Sequence, residues 1–442
     1  MTALLVVAGI SLVEACSSAP PPVLPELRDL EPREPVILLP GITGSKLRER
    51  ATGRVVWGSF RGMFLPRDGG YSVARPVDPE SPHRGAVEAH EPVYQFRALL
   101  GLVDVDIYDS LLRLLEANGY RVGSLDDPKP GDSFFPWAYD WRQGVVPAAR
   151  GLLERLEALR RSRGEEVLRV HFICQSDAGQ IVRYLLKYGG ASLEEAEAGV
   201  AAPPPGVRVG KLILVGSAAG GSLSTLEDMN RGRRFVPLVG RRFRPEVIFS
   251  FPAVYETLPA YRDDLFFDEE GDPVAADLFD AAAWERYGWS AFSPEEVHRI
   301  ERSGRLDLFG DAGERRAYLQ RTLDRARRLH RLLRRDVDGF GHPEYYVLGN
   351  GYLPTTERAL LTREDGRWRT YFADDDRLRS DPYLFTLAAV PGDGHATWTS
   401  QTWMSPQEQA AQAHPPVSIP LYHRRIILDR GAHRWILHFL LR

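Results

Sequence analysis

Short, wholly apolar runs alternate with longer amphipathic stretches along most of the chain. Pro35 to Pro40, Val170 to Cys174, Lys211 to Gly216 and Tyr345 to Leu348 are β-branched or aromatic runs bounded by Gly, Pro or polar residues, and they are too short for helices. Runs without polar alternation suit strands buried on both faces. Between them, Ile107, Leu111, Leu112, Leu114 and Leu115 recur at helical spacing over Asp106 to Asn118, and Gly119 ends the pattern. A second helix is predicted from about Pro147 to Arg163, a third from Glu314 to Arg335, and a last from Ala432 to Leu441. Ala359 to Phe372 reads as a hairpin turning at Asp365-Gly366, and Val417 to Tyr422 as a final strand delivering His423. Strand, helix and strand in succession make parallel crossovers, so the predicted fold class is α/β, with a mostly parallel central sheet flanked by helices.

Two blocks break this rhythm. Residues 51–106 are rich in Gly, Pro and charge, with Trp57, Phe60, Met63, Phe64 and Leu65 as exposed-looking apolar anchors. Residues 223–311 mix short helices and loops around Ser250 to Pro259. Both read as cap insertions in one domain spanning 35–442. Residues 1–34 read as a leader and tether: a short apolar run ends in Ala15-Cys16 and a Pro-rich stretch runs from Ala19 to Pro25. This start resembles a bacterial lipoprotein signal, which implies cleavage before Cys16, its lipidation and export, although no Lys or Arg precedes the run and Glu14 lies inside the motif. At under 20 residues, the run is short for a transmembrane helix.

Composition narrows the classes. A chain of 442 residues with 43% hydrophobic content supports a large core, and a net charge of -4 gives no basis for nucleic-acid binding. Only four of the 56 basic residues are lysine, which reflects codon usage more than chemistry. Cys16 and Cys174 are the two cysteines, so a structural disulfide is not expected, and no histidine shows metal-ligand spacing. The nine arginines of Glu314 to Arg335 suit a solvated helix docked on the sheet, with contact to anionic lipid headgroups as the sharper alternative.

The candidate chemistry lies where strands end. Val170 to Cys174 breaks sharply at Gln175-Ser176-Asp177-Ala178-Gly179 and resumes with helical period. In such a turn a serine takes a strained backbone conformation with its hydroxyl above the sheet edge, which makes Ser176 the candidate nucleophile. Cys174 and Ala178 stand where the usual G-x-S-x-G has glycine, and both are small. By itself the segment fits a serine N-cap on an ordinary strand-to-helix turn equally well. Gly41-Ile42-Thr43-Gly44 follows the first strand, where backbone N–H groups face the crevice of an open α/β sheet; its spacing excludes a P-loop. Likewise, Gly216 to Ser222 lacks the spacing of a dinucleotide fingerprint. Asp393 sits on a Gly-bounded loop, and His423 follows the last predicted strand. The order Ser176, Asp393, His423 matches the α/β-hydrolase triad, with His395 as the rival base.

On its motifs the chain resembles the lecithin:cholesterol acyltransferase family from Pro35 to the C-terminus. These are the Leu39-Pro40-Gly41-x-x-Gly44 core, Tyr139-Asp140-Trp141-Arg142, the serine turn, Gly349-x-Gly351-x-x-Thr-Thr, and Gly392-Asp393-Gly394 with a late histidine. The resemblance implies an α/β-hydrolase fold with Ser176 as nucleophile, Asp393 as acid, His423 as base, and the Ile42 and Asp177 backbone N–H groups as oxyanion donors. It further implies phospholipid or acylglycerol esters as substrates at a membrane surface, with no metal or organic cofactor. Gln175 stands where the family often has His, and the disulfides of its secreted animal members are absent. An ionised Asp177 pointing inward would oppose an oxyanion, so either its pKa is raised or its side chain faces solvent. A non-catalytic binding protein on a hydrolase scaffold and a short-chain carboxylesterase are the competing readings.

Overall fold

The computed structural model describes residues 20–29, 33–59, 62, 68, 70–98, 103–233, 242–341 and 343–442. Six parallel strands form the central sheet: β1 (Val36–Leu39), β2 (Phe134–Pro136), β3 (Leu168–Gln175), β4 (Val207–Val215), β5 (Glu344–Gly349) and β6 (Val417–Ser418). Their spatial order is β6-β5-β4-β3-β1-β2. The chain leaves β1 to one side for β2 and returns to the other for β3, and the crevice beyond this reversal is where an open parallel sheet places its ligand.

Successive strand side chains point to opposite faces. Ile37, Leu39, Phe172, Cys174, Leu212 and Leu214 pack with helices α2 (Val145–Arg163) and α3 (Ala178–Tyr188). Val36, Leu38, Ile173, Ile213 and Val215 pack on the other face with α1 (Asp109–Ala117) and the terminal α5 (Arg430–Leu441). Because helices cover both faces, the strands read as unbroken apolar runs.

The basic helix α4 (Ala312–Arg334) buries Leu319, Leu323, Ala326, Leu329 and Leu333. It docks on α3 and the 223–311 block more than on the sheet: Tyr188 Oη and Lys187 Nζ donate to the Leu332 and Leu333 carbonyls at 2.9 and 2.8 Å. Its arginines pair with carboxylates, Arg325 with Glu256 and Arg328 with Glu197. The helix α3 is thus enclosed on all sides, and every one of its residues is buried.

Several expectations are corrected. The block 51–106 is not wholly irregular: Val55–Trp57 and Val87–Pro92 flank Ser45–Glu49 in an antiparallel sheet, and Gln95–Ala98 pairs with Val103–Asp106. Trp57 is 1% exposed, not an exposed anchor; it stacks on Phe243 and meets Trp141 edge-on. Phe60, Met63, Phe64 and Leu65 lie outside the described residues, as does Cys16. The last strand is shorter than predicted because Pro420 has no N–H to offer a ladder, and His423 instead opens a 3-10 turn over His423–Leu428. The predicted hairpin forms over Ala359–Glu364 and Arg367–Tyr371, and its first strand also pairs with Phe266–Phe267 of the 223–311 block. Pro20 and Pro22 belong to no free tether: Arg430 donates to the Pro20 carbonyl at 2.8 Å, Asn118 to that of Pro22 at 2.9 Å, and Leu27 is fully buried. No helix among the described residues is long and apolar enough to cross a membrane.

Candidate active site

The turn between β3 and α3 takes the strained conformation that its sequence predicts. Ser176 has φ of +61°, one of four non-glycine residues among those described with positive φ. The conformation is costly for a residue with a Cβ and is held from both sides. Ser176 N–H donates to the Val215 carbonyl at 3.0 Å, while the first turn of α3 lies so close to β4 that a Cβ on Gly179 would come within 2.6 Å of Leu214. Cys174 and Ala178 are fully buried in the space that larger residues would overfill.

The structure brings Ser176, His423 and Asp393 together. Ser176 Oγ lies 2.9 Å from His423 Nε2, and His423 Nδ1 lies 2.7 Å from Asp393 Oδ2. A carboxylate at Nδ1 fixes the tautomer with its proton there, leaving Nε2 free to accept from the serine hydroxyl. Asp393 is fully buried, and its Oδ1 accepts the His395 and Ala396 N–H groups at 2.9 and 2.8 Å. His395, the rival base, has its ring 4.8 Å from that of His423 and contributes only its backbone N–H to Asp393. Burial and the neighbouring His423 hold the His395 pKa well below the ordinary histidine range.

Residues with no assigned role in the sequence analysis hold this geometry. The Gly349-x-Gly351-x-x-Thr-Thr motif joins the acid and base loops. Thr355 Oγ1 accepts the Gly394 N–H at 2.8 Å, and Asn350 Nδ2 donates to the Leu421 carbonyl at 2.9 Å, two residues before His423. Gln401 Nε2 donates to both the Asn350 and Ala396 carbonyls at 2.9 Å. On the other side, Gln175 Oε1 accepts from Gly41 N–H at 3.1 Å and from Tyr108 Oη at 2.9 Å, tying the first loop to the serine turn. A Cβ on Gly41 would meet Gln175 at 2.5 Å, so glycine is needed there for space. Tyr139 Oη donates to the Pro40 carbonyl at 2.7 Å and Trp141 Nε1 to that of Ser45 at 3.0 Å, while Asp140 and Arg142 form a buried pair at 2.8 Å. That tetrad therefore braces the loop carrying Ile42. Spacing gave no signal for Gln175, Tyr108 or Gln401, because each has a partner far along the chain: Gln175 in Gly41, Tyr108 in Gln175 and Gln401 in Asn350.

Ile42 N–H does not face an open crevice. It donates to Asp177 Oδ1 at 2.9 Å, so Asp177 points inward. Burial raises the Asp177 pKa to about 6 against the pull of the Ile42 and Asp177 N–H groups. Against it packs the Ser250–Pro259 segment, whose Ala253, Glu256 and Thr257 close a void of about 10 Å³ with Asp177, Tyr139 and Trp141. That is room for about one water.

No family model matches the sequence, and no curated protein matches it either. Among solved structures, a chain from the crystal structure of the Tle4–Tli4 complex aligns with a TM-score of 0.59 and 14% identity over 93% of this chain and 98% of that one. Bacillus licheniformis lipase BlEst2 in its mature form aligns over 93% of both chains at a TM-score of 0.33 and 9% identity. The strand order, the serine turn and the first of these likenesses place the chain in the α/β-hydrolase fold.

Proposed function

We propose that the chain is a serine-dependent lipid acyl hydrolase or acyltransferase of phospholipase or lipase type, working through an acyl-Ser176 intermediate. The observation that carries this reading is the continuous hydrogen-bonded path from Ser176 Oγ through His423 to the buried Asp393, mounted on a strained turn at the mouth of the sheet. As Ser176 Oγ attacks the ester carbonyl carbon, His423 Nε2 takes its proton and passes it to the departing alcohol. Water or a second alcohol then repeats the sequence on the acyl-serine. Donors at Ile42 and Asp177 would meet the charge on the carbonyl oxygen. Lipid esters are proposed as substrates from the motif resemblance of the chain.

A fluorophosphonate probe tests this directly. Wild type is expected to be modified at Ser176, located by mass spectrometry, and Ser176→Ala and His423→Ala are expected to lose the label. A folded wild-type protein that never labels would overturn the proposal in favour of a binding scaffold, the second reading, which the Asp177 carboxylate on Ile42 N–H favours. Rates that rise with acyl-chain length and above the substrate's aggregation point would set a lipase apart from a short-chain carboxylesterase.

Export and lipid anchoring at Cys16 form part of the same proposal. Cys16 lies four residues before Pro20, which is bonded to the body, so an anchored protein would be held within about 14 Å of the bilayer. Expression with radiolabelled palmitate in a bacterial host is expected to label wild type in the membrane fraction and leave Cys16→Ser unlabelled. Equal labelling of both would dismiss the anchor.

A further inference from the structure

One of the two donors proposed for the oxyanion, the Ile42 N–H, is already taken. Asp177 Oδ1 accepts the Ile42 N–H at 2.9 Å. A carboxylate oxygen and the oxyanion of a tetrahedral intermediate are both anionic acceptors of similar size, so the Ile42 N–H cannot serve both at once. The carboxylate also sits in a site only 7% exposed, where the repulsion it exerts on a developing negative charge is poorly screened.

We propose that Asp177 is a self-occupying plug of the oxyanion position, and that protonation of its side chain, which weakens its hold on Ile42, opens the site to the substrate carbonyl. This inference rests on the nucleophile reading of Ser176 and deepens it by assigning a pH-dependent role to the residue beside it. The protonated carboxyl keeps a donor of its own, so once displaced it no longer opposes the oxyanion.

The surroundings fix the direction of the response. From the base loop, His423 favours the ionised form when it is protonated; from the cap, Glu256 opposes it. Glu256 is itself buried, accepting the Val145 N–H at 2.6 Å and pairing with Arg325 at 3.0 Å. Tyr139, Tyr108 and Cys174 complete the titratable neighbours on the strands and loops below, and burial raises the pKa of each. Burial therefore dominates, and Asp177 releases its proton at about pH 6, roughly two units later than an exposed aspartate. As pH rises through this point the hole fills.

The test compares fluorophosphonate labelling rates of wild type, Asp177→Ala and Asp177→Asn from pH 5 to pH 8. Asp177→Ala empties the position; Asp177→Asn keeps its shape without the charge and guards against a folding defect in the alanine variant. With a pKa near 6, about 1% of wild type is in the neutral form at pH 8 and about 90% at pH 5. Asp177→Ala is therefore expected to label roughly 10- to 100-fold faster than wild type at pH 8 and within about threefold at pH 5. Asp177→Asn should lack the fall toward alkaline pH. Labelling at a wild-type to Asp177→Ala ratio that does not change with pH overturns the plug while leaving the nucleophile intact. No labelling of any variant at any pH overturns the nucleophile reading and the plug with it.

Discussion

Asp393→Asn is expected to slow ester hydrolysis by about 10⁴-fold while barely moving the urea midpoint of unfolding. The asparagine carbonyl can keep the two backbone bonds that Asp393 Oδ1 now accepts, from His395 and Ala396 at 2.9 and 2.8 Å. Its amide nitrogen then replaces Oδ2, 2.7 Å from His423 Nδ1, and presents a donor where an acceptor stood. The imidazole answers by moving its proton to Nε2, the atom that lies 2.9 Å from Ser176 Oγ and has to accept the serine proton. The site keeps its shape and loses its base. Because Asp393 is fully buried and its bonds stay satisfied, stability is expected to change by less than about 1 kcal/mol. The check is kcat on a p-nitrophenyl acyl ester beside a urea titration. A loss in kcat below tenfold would remove Asp393 from the triad.

That Ser176, Asp393 and His423 would meet was legible because each sits at a place with its own local signature. Small residues crowd Ser176, glycines bracket Asp393, and the apolar run before His423 points to the sheet edge. The layers were legible for a similar reason: runs such as Val36–Leu39 leave no polar face, so only a strand covered on both sides accommodates them. What could not be read was non-local. Trp57 is buried because Phe243 stacks on it from far along the chain, and Leu47 pairs with Ala89 across an intervening loop. No periodicity within 51–106 reports either contact. Asp177 shows the limit most clearly, because the sequence allowed both an inward and an outward side chain. The choice depends on Ile42, a residue 135 positions away whose N–H donates to the inward-facing carboxylate. Gln175 is similar: as the residue standing where histidine was expected it looked like a departure, yet it joins Gly41 and Tyr108 to the serine turn.

Removing the Glu408 carboxylate should produce the largest loss of stability of any substitution considered, about 3–5 kcal/mol for Glu408→Ala. The helix α3 carries Ser176 at its start, and it is enclosed so fully that Arg183 and Lys187, both fully buried, have no access to water. Glu408 takes the Arg183 guanidinium in a two-pronged pair at 2.9 and 2.7 Å, lies 3.4 Å from Lys187 Nζ, and accepts the Ser405 N–H at 2.8 Å. Lys187 has other acceptors in the Leu333 and Arg335 carbonyls at 2.8 Å, and burial already lowers its pKa to about 8, so it can shed its charge; Arg183 cannot. The cost of the single variant is therefore mainly an orphaned guanidinium. Replacing both members, Arg183→Met with Glu408→Leu, should restore much of the loss, with a coupling of about 2 kcal/mol or more in the double-mutant cycle. Acid should erase the difference. Burial pushes the Glu408 pKa up, but Arg183, Lys187 and the Ser405 N–H pull it further down, to about 2, from an ordinary value of 4.5. The stabilisation is present in full above about pH 4.5 and fades as pH falls toward 2, so the urea midpoints of wild type and Glu408→Ala should converge across that window. Strictly additive costs for the two single variants would show that the pair is not coupled and that the buried guanidinium finds its partners elsewhere.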